Sequence, residues 1–145
     1  MTLSDLYLAL GTNMGCRESN IRTALERLDT ALGRHYCAIS PVLQTEAIGF
    51  TGPSFLNCIV KYRTGRSPQP LLKICKDIEK RMGRTDVPEY DTVGNRIYHD
   101  RIIDIDILMY GNRKIDTAEL TIPHPQVETR PYIKELLLNL LYYYF

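Results

Sequence analysis

Two aspartates, Asp104 and Asp106, stand two apart in the run Arg101-Ile102-Ile103-Asp104-Ile105-Asp106-Ile107-Leu108-Met109. The rest of that run is β-branched and aliphatic, which predicts a strand over Ile102 to Met109. Side chains two apart on a strand share a face, so the carboxylates would project together, roughly 6 to 7 Å apart at the usual rise per residue. A solvated outer face is the plainest account of such a pair. Their neighbours on that face are Ile102 and Leu108, however, and a mostly apolar row makes uncompensated charge costly. A divalent cation or the nearby Arg101 would compensate it. Magnesium suits oxygen ligands and takes one or two carboxylates together with waters and substrate phosphates, so this strand is a candidate metal and phosphate site.

Phosphate recognition needs cationic donors, and the chain supplies guanidiniums on both sides of the strand. The stretch from Arg84 to Tyr98 is charged and has no periodicity, as expected of a lid or binding segment, and it leads through Arg96 to Arg101. A charged surface loop would read the same way. Beyond the strand, His124 lies between Pro123 and Pro125, which stiffen the chain and fix where the ring points, whether for packing or for chemistry. Arg130 and Tyr132 follow.

These groups must be carried by a scaffold. Leu6 to Leu10 reads as a short apolar strand stopped by the turn Gly11-Thr12-Asn13-Met14-Gly15, which lacks the Lys-Ser/Thr of a Walker phosphate loop. Ile21, Ala24, Leu25, Leu28 and Leu32 recur at helical spacing, with Gly33 as the stop. Tyr36 to Ser40 and Val42 to Thr45 read as extended, with Pro41 as an edge or bend. Glu46 to Ser54 is a loop, and Phe55 to Arg63 a further strand on which Asn57 shares a face with Phe55 and Ile59. Ser67-Pro68 opens a second helix with Leu71, Cys75, Ile78 and Met82 as its buried stripe and Gly83 at its end. Glu79 flanks that stripe, as a solvated carboxylate or as part of a site. Tyr132 to Leu141 predicts a last helix, and the aromatic ending Tyr142 to Phe145 would dock on the body or mark a contact surface. Strand, helix, strands, helix, strand predicts an α+β fold, a ferredoxin-like split β-α-β sandwich with helices on one face of a mainly antiparallel sheet.

The 145 residues suit one domain, 1–145. Eighteen Lys and Arg against seventeen Asp and Glu leave no global field to gather nucleic acid or an acidic membrane. Cys16, Cys37, Cys58 and Cys75 form no Cys-x-x-Cys, and each is expected to pack as a small apolar residue in a reducing compartment. No secretory pattern or membrane-length apolar run is present, so a cytoplasmic protein is expected.

Taken together, Leu10-Gly11-Thr12-Asn13, Phe55-Leu56-Asn57, Arg101-Ile102-Ile103-Asp104-Ile105-Asp106-Ile107, Ile122-Pro123-His124 and Arg130-Pro131-Tyr132 resemble 6-hydroxymethyl-7,8-dihydropterin pyrophosphokinase, in register from about Leu6 to Leu141. The resemblance implies transfer of pyrophosphate from ATP to a pterin alcohol, with AMP leaving, in folate biosynthesis. It implies two Mg2+ ions on Asp104 and Asp106. It also implies catalytic and phosphate-binding roles for Arg84, Arg101, His124 and Arg130, and nucleotide contacts at Ile107 and Thr121. The pterin would lie between Phe55 and Tyr132, read by Asn57, with backbone groups of Thr45 to Ile48 completing the pocket and Glu79 near the site. A monomer acting on small molecules, without nucleic acid or membrane, is expected. The chain departs from the family pattern in a longer Arg84 to Arg101 segment and at Asp86, Tyr98, Glu119, Glu135 and Leu136. A non-catalytic ferredoxin-like binding module and a metal-dependent phosphohydrolase remain alternatives on the residues alone.

Overall fold

The computed structural model describes residues 2–47, 51–83, 89–90, 92–94, 96–97 and 102–143. Its elements in chain order are β1 (Ser4–Thr12), α1 (Arg17–Leu32), β2 (Ala38–Ile39), β3 (Leu43–Thr45), β4 (Phe55–Thr64), α2 (Pro68–Arg81), β5 (Glu89–Tyr90), β6 (Arg96–Ile97), β7 (Asp104–Tyr110), β8 (Ile115–Asp116), β9 (Thr121–Ile122), α3 (Gln126–Thr129) and α4 (Pro131–Tyr143). The main sheet runs β2-β4-β1-β7, with β3 also on β4, and its pairings are antiparallel. This is the α+β arrangement the element order predicts. Pro41 interrupts the outer edge, splitting it into β2 and β3 as a residue without a backbone donor should.

β1 sits between its two long neighbours, and its alternation divides the interior. Leu6, Leu8 and Leu10 meet Ile21, Ala24 and Leu28 of α1 and Leu71, Cys75 and Ile78 of α2. On the opposite face, Tyr7 joins Ile59 and Leu108 under Ile133, Leu136, Leu137 and Leu140 of α4. Those four α4 positions recur at i, i+3, i+4 and i+7, and burying each side chain is worth about 1.5 to 3 kcal/mol. The expectation of helices on one face therefore holds for α1 and α2 only, because the second face of the sheet is apolar as well and α4 covers it.

Two further readings change. Cys58 and Cys75 are buried, but Cys16 and Cys37 are exposed, so only two cysteines pack as small apolar residues. Burial pushes the Cys58 thiol up to about 12, which leaves it protonated and inert. The stretch read as a loop from Arg84 to Tyr98 contains a two-stranded ladder, Glu89 opposite Ile97 and Tyr90 opposite Arg96. Among the described residues no helix is long and apolar enough to cross a membrane. The aromatic tail beyond Tyr143 lies outside the described residues.

Candidate active site

The two aspartates share the sheet face on which α4 lies, since Ile103, Ile105 and Ile107 alternate with them and point into the core under α1 and α2. The alternation then breaks. Tyr7 pairs with Met109 but Leu8 with Ile107, so Leu108 is an extra residue in β7 and forms a bulge. Past it the faces exchange: Tyr110 points into the α1 and α2 core, where its hydroxyl donates to the Thr64 carbonyl at 3.2 Å.

Across the sheet, Gly11 of β1 pairs with Asn57 on one side and Asp104 on the other, and Ala9 pairs with Ile59 and Asp106. Gly11 and Ala9, two small residues of β1, thus lie between β4 with Asn57 and the carboxylates of β7. Gly11 is needed for space: a Cβ there would lie 3.2 Å from Asn57 Oδ1 and 3.7 Å from the Phe55 ring. Asn57 is 8 % exposed, and its Nδ2 donates to Thr45 Oγ1 at 2.6 Å. The loop entering β4 is tied to the β1–α1 turn, with Asn13 Nδ2 donating to the Pro53 carbonyl at 3.1 Å and Arg17 Nη1 to that of Ser54 at 2.8 Å. These tethers fix where Phe55 begins. Sequence reading passed over Arg17, yet a cation at a helix N-terminus, where the macrodipole disfavours it, signals a contact made elsewhere.

The opposite wall comes from the chain after β7. The backbone N–H of His124 donates to the Leu108 carbonyl at 2.9 Å, which fastens the Pro-His-Pro turn to the bulge. His124 Nδ1 accepts the Gln126 N–H at 3.1 Å, so in the neutral ring the proton sits on Nε2. Burial and the nearby Arg130 guanidinium hold the ring below its ordinary value of 6.5. Between the lowered folded value and 6.5 the unfolded chain takes up a proton that the fold refuses. The ring's contribution to stability is therefore full above 6.5 and declines as pH falls through that window. H124N retains an oxygen to accept the Gln126 N–H but cannot titrate there. The wild type is thus expected to lose thermal stability relative to H124N between pH 7 and 5; parallel profiles would count against the ring as a titrating group in this range.

The Arg130 guanidinium also acts electrostatically on the Tyr132 hydroxyl. Burial raises the Tyr132 hydroxyl; Arg130 opposes the rise, and the charges of Asp106 and Asp104 add to it. The first turn of α4 therefore stands within electrostatic reach of both aspartates, and Arg130 of both Tyr132 and His124. Asp104, Asp106, His124, Arg130 and Tyr132 converge in this way, while Thr45, Asn57 and Phe55 gather across Gly11. Thr121 is half-buried in β9, in a hairpin beyond β7. The Ile107 side chain is in the core, leaving only its backbone for a nucleotide. Arg84, Arg101 and Ile48 lie outside the described residues.

Glu79 is 0 % exposed, so its reading as a solvated carboxylate does not hold. Its Oε2 accepts the N–H of Ile105, the residue between the two aspartates, at 2.8 Å, and Lys76 Nζ approaches its Oε1 at 3.6 Å. The carboxylate thus satisfies the outer edge of β7 where the pair is mounted. E79A strands that N–H in the interior and is expected to cost about 1 to 3 kcal/mol, read as a lower urea midpoint. E79Q keeps an acceptor and should recover much of the loss. An unchanged midpoint in E79A would mean that the contact carries no stability.

The aspartates offer hard oxygen donors on an open, half-buried face. Among the described residues no set of three or more His, Cys, Asp or Glu forms a metal cage. Two carboxylates without a protein cage fit a cation that completes its shell with water and phosphate.

A family model described as 7,8-dihydro-6-hydroxymethylpterin-pyrophosphokinase matches residues 7–142. The 2-amino-4-hydroxy-6-hydroxymethyldihydropteridine pyrophosphokinase of Porphyromonas gingivalis is 40 % identical over 134 residues, covering 91 % of this chain and 87 % of that protein. The protein of the same name from Aquifex aeolicus is 37 % identical over 139 residues, covering 95 % and 81 %. A folate synthesis bifunctional protein of Arabidopsis thaliana is 36 % identical over 144 residues, which are 97 % of this chain but 28 % of that longer protein.

Proposed function

The chain belongs to the 7,8-dihydro-6-hydroxymethylpterin pyrophosphokinase family, and from that premise we propose how its site works. The enzyme transfers pyrophosphate from ATP to the hydroxymethyl group of 6-hydroxymethyl-7,8-dihydropterin in folate biosynthesis. The carrying observation is the row Asn57, Gly11, Asp104 across three strands, with Tyr132 in reach of both carboxylates. Two strand spacings, about 10 Å, separate the group that reads the heterocycle from the group that faces the phosphates. That span suits a pterin whose hydroxymethyl arm extends over Gly11.

The hydroxymethyl oxygen bonds to the β-phosphorus, the bond from that phosphorus to the oxygen bridging to the α-phosphate breaks, AMP leaves, and the hydroxyl proton is released. Phe55 and Tyr132 hold the flat ring, each stacked contact adding about 0.5 to 1.5 kcal/mol beyond buried area. Asn57 matches its mixed donor and acceptor edge. Arg130 binds the phosphates, and His124, neutral with its proton on Nε2, donates to a phosphate oxygen without adding charge. Arg84 and Arg101 would contribute further phosphate contacts, and Ile107, Thr121, Thr45 and Ile48 backbone contacts to the two substrates. Two magnesium ions on Asp104 and Asp106, when bound, would neutralise the triphosphate and the leaving oxygen. The remaining catalysis is orientation and fixed charge, since phosphoryl chemistry asks for little covalent help.

The chain would act as one domain, 1–145, as a cytoplasmic monomer; its near-even charge supports the reading that nucleic acid and acidic membrane are not its partners. The deciding experiment measures AMP formation from ATP and magnesium with and without the hydroxymethyl pterin. Pterin-dependent AMP is expected. Inorganic phosphate released without pterin would favour a phosphohydrolase, and magnesium-dependent turnover of neither kind a binding module.

A further inference from the structure

Asn57 is held at the amino end of its carboxamide by a side-chain hydrogen bond, and its carbonyl end occupies space that a side chain at Gly11 would take. At the amino end, Nδ2 donates to the Thr45 hydroxyl at 2.6 Å. The carbonyl end lies toward Gly11, where a Cβ would sit only 3.2 Å from Oδ1, closer than most side-chain contacts allow. Thr45 reaches Asn57 across β3 and β4, diagonally from its register partner Phe55, and Gly11 reaches it from β1. The amide is thus pinned from β3 and left room on the β1 side, in a setting that leaves Asn57 8 % exposed.

We infer that the Thr45 hydroxyl is a positioning residue for substrate selection: with the space left at Gly11, it locks the Asn57 carboxamide in the one orientation that the pterin edge accepts. A carboxamide presents a donor at one end and an acceptor at the other, so a turned amide meets a mixed heterocycle edge with donor against donor and acceptor against acceptor. An amide free to rotate would also lose that freedom on binding, whereas one already pinned does not. Thr45 thereby acts through its side chain as well as through any backbone contact, and Gly11 acts by having no side chain. The inference rests on the reading of Asn57 as a pterin-binding group.

The test compares calorimetric affinities of wild type, T45V, T45S, G11A and N57A for hydroxymethyl dihydropterin and, separately, for a methylene-bridged ATP analogue with magnesium. Thr45→Val keeps the β-branched shape that suits β3 but removes the hydroxyl. Pterin affinity is expected to fall about tenfold in T45V and in G11A, and T45S to regain most of it, while affinity for the ATP analogue changes by less than about twofold throughout. Wild-type pterin affinity in T45V, or a T45S as weak as T45V, overturns the inference, and the Thr45 pair decides the matter even if G11A fails to fold. A wild type that binds no pterin, or an N57A that binds it normally, refutes the underlying functional reading and the inference with it. Loss in N57A alongside normal binding in T45V refutes only the inference.

Discussion

Replacing Asp104 with alanine is expected to lower turnover about a thousandfold or more, while the circular dichroism spectrum is retained and the thermal midpoint moves by only about a few degrees. The physical ground is the placement of Asp104 and Asp106 side by side on the half-buried face of β7, away from the apolar core formed by Ile103, Ile105 and Ile107. Removing either carboxylate would take away the oxygen donors proposed to face the phosphates, without opening a cavity in that core. D106A should behave alike. Because the two act as one unit, the double variant should fall little below either single one. Near-normal turnover in D104A would remove the metal-binding role, and a multiplicative loss in the double variant would mean that the carboxylates act separately.

The second large effect is expected at Tyr132. Y132A should weaken hydroxymethyl pterin binding roughly a hundredfold, through lost stacking and lost apolar area, and leave ATP affinity nearly unchanged. Y132F keeps the ring and loses only the hydroxyl, whose ionisation the Arg130 charge favours, so its pterin loss should stay within about fivefold. The comparison separates the ring from its polar tip. Calorimetric losses equal for both ligands in Y132A would show that the residue supports the site as a whole rather than one wall of the pterin pocket.

The elements were legible because each carries its own local signal. The leucine and isoleucine spacing of α1, the Ser67-Pro68 start of α2 and the carboxylates alternating with isoleucines in β7 are each decided within a few residues of chain. The candidate site residues were legible only as types: paired carboxylates that suit a cation and guanidiniums that suit phosphate, with the roles of Asn57 and the two rings implied by the family resemblance. Their assembly was less so. Glu79 reads as a surface carboxylate by its position on α2, and only the edge of β7 lying over it makes it a buried acceptor for Ile105. Arg17 carried no sequence reading, and its contact arises only where the loop before Phe55 closes onto it.

Alone, the amino-acid sequence determined the long strands and helices, though not the short β5–β6 ladder, and which side chains carry charge, hydrogen-bonding capacity or aromatic area, because those properties depend on neighbours close along the chain. Only the tertiary structure decided that α4 covers the second face of the sheet, that Leu108 bulges and turns Tyr110 inward, and that Asn57, Gly11 and Asp104 share one row. Register between strands distant in the chain sets these facts, and a slip of one residue would exchange every inward side chain for an outward one. The row of Asn57, Gly11 and Asp104 exists because the long-range pairing came out this way, with a glycine where the carboxamide needs room.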